Sequence, residues 1–89
     1  MYKVFKYKIQ IKDYFSLVLP QNAKILSVQV QYGKAQIWAL VNPHNTVETR
    51  NFRLIDTGEQ IEDSLERLDY IGTFQLDDEE YVGHLFEIR

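Results

Sequence analysis

From Lys3 to Ile11 the chain alternates, with Phe5, Tyr7, Ile9 and Ile11 on one face and Val4, Lys6, Lys8 and Gln10 on the other. A period of two is the signature of a half-buried strand. A second apolar run, Phe15 to Leu19, is closed by Pro20, which cannot continue a central strand. The stretch Ala23 to Pro43 reads as a β-hairpin. With Gly33-Lys34 as its two-residue turn, the expected partners are Val30/Ile37, Val28/Ala39 and Leu26/Val41 on an apolar face, and Gln29/Trp38 and Ser27/Leu40 on a mixed one.

Beyond the loop Asn42 to Asn45, residues Val47 to Ile55 predict a strand with Phe52 and Leu54 facing one way and Thr49, Asn51 and Arg53 the other. Asp56-Thr57-Gly58 signals a turn. Ile61 to Leu68 has helical spacing, with Ile61, Leu65 and Leu68 on one side, and predicts at most two helical turns. The closing strands, Tyr70 to Leu76 and Tyr81 to Ile88, are joined by the acidic tip Asp77 to Glu80, and their pairing sets Thr73 opposite His84. Val82, Phe86 and Ile88 share one face of this hairpin, and Phe74, Leu76 and Leu85 the other. The fold class is mainly β. Residues 1–89 are expected to form one small domain, five or six antiparallel strands in a meander curled into an open barrel or a sandwich, with at most one short helix. Apolar residues on both faces of the last hairpin call for covers, and a second subunit would supply one, so a homo-oligomer is expected.

With 45% hydrophobic and 26% charged residues the composition is that of a globular domain, and no run approaches the roughly 20 apolar residues of a membrane helix. The first strand lacks the continuous apolar core and small-residue cleavage pattern of a signal peptide, and the absence of cysteine suits a reducing compartment. Net charge is −3, unevenly spread. Lys3, Lys6, Lys8, Lys12, Lys24 and Lys34 face only Asp13 in residues 1–34, while acids dominate residues 55–89. Such polarity fits basic and acidic strands that lie near one another or are solvated, and next a basic surface for an anionic ligand. Mimicry of a phosphate backbone would need far more negative charge.

Catalytic equipment is thin. His44 sits in a Pro-Asn loop and reads as solvated; His84, mid-strand, reads first as a histidine hydrogen-bonded to Thr73 and second as a ligand contact. No HxH, HExxH, cysteine pair or EF-hand loop predicts a metal, and Gly33, Gly58, Gly72 and Gly83 are too isolated for a phosphate loop. Neither an enzyme nor a cofactor is expected. What remains suits a planar anion. Arg50 and Arg53 offer guanidinium forks, Trp38 and Tyr32 offer stacking faces, Gln29, Gln31 and Gln75 read donors and acceptors, and His84 adds a further contact.

The segments AKILSVQVQ (23–31), WALV (38–41), FR (52–53), TG (57–58), YIGTFQL (70–76) and HLFEI (84–88) resemble, in order and spacing, a widespread family of small bacteriophage proteins described as a domain of unknown function. The resemblance spans nearly the whole chain. The lysine-rich first strand and the acidic tip depart from the family pattern, so their charges are not implied by it. Membership implies a phage accessory protein in the cytoplasm of the infected bacterial host. Small phage proteins of this kind look like inhibitors of host immunity, one class being oligomeric sponges for cyclic nucleotide signals. The expected function is therefore sequestration, without cleavage, of a cyclic dinucleotide such as cGAMP between subunits. Trp38 or Tyr32 would stack on a base, Arg53 or Arg50 would meet phosphate, and Gln29, Gln75 or His84 would read the base or ribose. No membrane and no direct DNA or RNA contact is expected. The competing expectations are a protein-binding inhibitor of a host defence protein, docking through an edge strand or the acidic hairpin, and an accessory protein with no small-molecule site.

Overall fold

A computed structural model describes residues 1–76 and 80–89; of the expected acidic tip, Asp77, Asp78 and Glu79 lie outside the described residues. Among the described residues there are seven strands: β1 (Lys3–Lys8), β2 (Tyr14–Pro20), β3 (Lys24–Gln31), β4 (Lys34–Val41), β5 (Val47–Asp56), β6 (Leu68–Leu76) and β7 (Tyr81–Ile88). They form two antiparallel sheets, ordered β1-β4-β3 and β2-β5-β7-β6, stacked and not closed into a barrel. The small β domain expected from the alternation is what forms. Only β3–β4 and β6–β7 pair with their neighbours in sequence; β1 reaches β4, β2 reaches β5 and β5 reaches β7.

The β3–β4 register departs from the sequence expectation by two residues, because the turn is Tyr32-Gly33. Gln31 pairs with Lys34, Gln29 with Gln36, Val28 with Ile37 and Ser27 with Trp38. Tyr32 (φ 54°) and Gly33 (φ 73°) both take the left-handed region, the requirement of a type I′ turn. A shift of two preserves which face each residue occupies. At the other end a bulge between Ile25 and Ser27 breaks the alternation, so Leu26 points outward at 46% exposure in place of joining the apolar face.

Between the sheets Phe15, Val28, Ala35, Ile37, Phe52, Leu54, Phe74 and Leu85 form the main core, with Ile9 at its margin. Phe15 and Phe52, partners across β2–β5, stack with ring centroids 5.2 Å apart. Leu19, Ala23, Ala39 and Val41 make a second cluster. The sheets approach most closely where β3 meets β6. There Gly72 leaves room for Val28, whose Cγ1 lies 2.9 Å from where a Cβ would stand. On the other flank β1 and β2 are the edge strands, and the Leu19 cluster packs between them with Tyr7 and Leu17 against it.

The expected helix over 61–68 does not form; only a 3-10 turn, Leu65–Arg67, is present, with Ile61 and Leu65 exposed at 39% and 69%. Eight residues are too few to sustain a helix without a packed face. Instead, residues 57–64 cross the outer face of the second sheet and supply carboxylates to it.

Candidate ligand-binding face

Alternation along the three-stranded sheet sends Val4, Lys6 and Lys8 of β1, Lys34, Gln36, Trp38 and Leu40 of β4, and Lys24, Ser27, Gln29 and Gln31 of β3 to its outer face. No acidic side chain shares this face among the described residues. Lys6 pairs with Trp38 and Lys8 with Gln36. The Lys6 ammonium sits 5.9 Å from the ring centres of both Trp38 and Tyr32 and donates to Gln31 Oε1 at 2.6 Å. A cation shared between two rings is a weak but directional attraction. Lys8 is held below the ordinary lysine value by the Lys34 side chain beside it, first through polar contact and then through charge repulsion. Positive charge is therefore crowded here without a counter-charge.

Two further features mark the face. Tyr32 is 88% exposed at the apex of the turn, in a backbone region that tyrosine rarely adopts. The Trp38 Nε1–H is buried and meets no acceptor among the described residues, an arrangement that costs about 1–3 kcal/mol where a donor stays unpaired.

The arginines lie elsewhere. Arg50 sits between the sheets, where it binds Glu87 through Nε at 2.6 Å and Nη2 at 2.7 Å and donates to the Ala23 carbonyl. Arg53, 5% exposed, is enclosed on the outer face of the four-stranded sheet. Its Nε donates to Asp63 at 3.0 Å, its Nη2 to Glu59 at 2.8 Å and its Nη1 to the Leu54 carbonyl at 2.8 Å, while the Tyr14 ring lies 4.7 Å from the guanidinium carbon. Tyr14 in turn donates to Asp63 at 2.7 Å. Hydrogen bonds from Tyr14 and Arg53 hold the Asp63 carboxyl below its usual range, and the Asp56 backbone N–H followed by Arg53 does the same for Glu59. Both guanidinium groups are thus occupied within the chain.

His84 pairs with Thr73 as the hairpin register predicts. Its Nδ1 lies 2.9 Å from Thr73 Oγ1 and its Nε2 2.8 Å from Thr57 Oγ1, and Tyr70 extends the network to Thr73 at 2.7 Å. Gln75 and Gln29, on different sheets, meet in a groove of about 320 Å³ that Val30, Thr73 and Phe74 also line. Of the eight residues singled out in the sequence, the structure therefore gathers Trp38, Tyr32, Gln29 and Gln31 on the lysine face. It links Gln29 to Gln75 and, through Thr73, to His84, and sets Arg50 and Arg53 apart. Lys6, Lys8 and Lys34 were legible only as charge; the signal that placed them was Lys6 and Lys8 at period two and a hairpin whose second strand begins with Lys34.

One family model, that of a domain of unknown function designated DUF7352, matches residues 1–89. The chain belongs to this family. No curated protein and no solved structure matches it. No group of histidine, cysteine or carboxylate side chains that could hold a metal occurs among the described residues, and no described helix is long and apolar enough to cross a membrane.

Proposed function

We propose that the protein is a binding protein for an anionic, planar nucleotide, taken up on the outer face of β1-β4-β3 and held without cleavage. The reading fits a phage anti-defence sponge for a cyclic dinucleotide immune signal such as cGAMP. The observation that carries it is the clustering of Lys6, Lys8 and Lys34 near Trp38 and Tyr32 on a face without acids among the described residues. Trp38 and Tyr32 supply stacking area once the bound base displaces Lys6 from between them. The freed ammonium, with Lys8 and Lys34, meets phosphate, and the anion relieves the repulsion between Lys8 and Lys34. Gln29 and Gln31 present amides that both donate and accept, suited to base edges. Strain at Tyr32 is a cost that a purely structural turn would shed by using asparagine, and strained residues concentrate at ligand sites.

The test is thermal melting against a panel of cyclic di- and trinucleotides, with a single-stranded oligonucleotide as comparator. At one hundred times the dissociation constant, a ligand stabilises by about 2.7 kcal/mol, a rise of roughly 10 °C or more in a domain of this size. One cyclic nucleotide is expected to shift the melt and to be recovered intact, and Trp38→Ala and Lys8→Ala/Lys34→Ala are expected to abolish the shift while keeping the unliganded melt. A flat panel, or a shift with the oligonucleotide alone, would overturn the reading.

A further inference from the structure

The two sheets leave four edges, and the protein treats them differently. β3 and β6 face each other where the sheets meet. β1 and β2 are open, each flanked by one strand only. Hydrogen bonds just beyond their ends reveal which peptide groups point outward. Leu54 N donates to Asp13 O at 2.9 Å and Gln21 N to Thr46 O at 2.8 Å, both in the register that pairs Tyr14 with Arg53. Odd-numbered residues of β2 therefore bond to β5, and the N–H and C=O groups of Tyr14, Ser16 and Val18 face away from it. By the same logic Ile9 N donating to Ala35 O at 3.2 Å leaves those of Val4, Lys6 and Lys8 outward on β1.

The edges differ in chemistry. β1 carries Lys3, Lys6 and Lys8, the commonest device against unwanted strand pairing. A second copy using all three outward groups of β1 would set Lys6 directly against Lys6. β2, YFSLVLP, carries no charge at all, and Tyr14 and Val18 are exposed at 55% and 59%.

We propose that β2 is a homodimer interface, joined antiparallel to β2 of a second copy about a two-fold axis at Ser16. In that register Ser16 faces Ser16 of the second copy, and Tyr14 faces Val18 in both directions. All three outward residues form hydrogen-bonded pairs, with two bonds each. The outer face then holds an aromatic residue against a β-branched one twice and serine against serine once, all favourable cross-strand pairs. Pro20, which lacks an N–H, falls just outside the paired row. Shifting the axis to Leu17 would set Tyr14 against Pro20 at each end, leaving those two pairs with one bond in place of two, and would replace the tyrosine–valine and serine–serine pairs with tyrosine–proline and serine–valine, so pair quality favours the Ser16 register. The resulting continuous sheet, β6-β7-β5-β2 doubled, removes the unguarded edge. The inference does not rest on the ligand reading, since β2 belongs to the other layer.

Sedimentation of the purified chain tests it, with charge placed at the axis. The unmodified protein is expected to dimerise at about 100 µM or below. Ser16→Glu and Ser16→Lys, each opposing like charges across the two-fold, are each expected to raise the dissociation constant by at least about tenfold. An equimolar mixture of the two is expected to recover dimer, which also shows that both variants are folded. Lys6→Ala on the other open edge is expected to leave the dimer unchanged. A monomer at 100 µM, a dimer unaffected by both Ser16 charges, variants that stay monomeric when mixed, or a dimer lost in Lys6→Ala would each overturn the proposal.

Discussion

Arg53→Ala is expected to be among the most damaging single substitutions in this chain, and to act through stability. The guanidinium is almost fully enclosed, with side-chain exposure of 6%, and joins two carboxylates, the Leu54 carbonyl and the Tyr14 ring. Removing one member of a buried ion pair costs about 3–5 kcal/mol when the partner is left dry. Here Asp63 and Glu59 keep side-chain exposures of 14% and 28%, so water recovers part of that loss and about 2–3 kcal/mol is expected. This corresponds to a fall in melting temperature of roughly 10–20 °C. Urea unfolding of the wild type, Arg53→Ala, Glu59→Gln and the double variant measures it, and the two substitutions are expected to be markedly non-additive. The pH dependence must carry the same sign. Both carboxyls are held below their ordinary values in the folded state, so their contribution is fully present above the unfolded pKa near 4 and is lost as pH falls through the folded values. In Arg53→Ala the acid limb of the stability curve should flatten. A loss below about 0.5 kcal/mol with an unchanged acid limb would refute the reading of Arg53 as the anchor of the 57–64 crossing.

Two other perturbations bear on the fold. Tyr32→Asn, which gives the type I′ turn its preferred Asn-Gly pair, should raise stability by about 0.5–1 kcal/mol in a thermal melt while weakening nucleotide binding; unchanged stability would mean that the turn is not strained. Gly72→Ala should cost about 1–3 kcal/mol by forcing a methyl group against Val28 Cγ1, and Val28→Ala in the same chain should recover part of it in urea unfolding, whereas simple additivity would place the strain elsewhere.

The two local hairpins were legible because alternation and turn residues are properties of adjacent residues. The β6–β7 register, including Thr73 against His84, came out as expected. The β3–β4 register differs by two from the one a Gly33-Lys34 turn dictates, because Tyr32-Gly33 makes the turn and nothing in the pattern announces a tyrosine with positive φ. Ile61, Leu65 and Leu68 have helical spacing without a helix, since the segment's role is to bring Glu59 and Asp63 to Arg53 across the sheet. Those partnerships, like Arg50 with Glu87, depend on pairings between distant strands that period and composition do not encode. For the candidate face, the aromatic and amide groups were visible, but their gathering with Lys6 and Lys8 required knowing that β1 crosses to β4.

That crossing order also governs how the chain assembles during synthesis. β2 is complete once Pro20 has been made, yet its partner β5 ends at Asp56. At bacterial or eukaryotic translation speeds of roughly 5–20 residues per second, the uncharged segment waits about 2–7 s for the strand that covers its other side. β3 and β4 form a hairpin within microseconds of emergence, and β1 can dock on β4 while β2 is still unpaired. The nascent chain therefore passes through a stage in which its lysine-bearing layer is built and its least protected strand is not, and chaperone capture at that length would select for YFSLVLP.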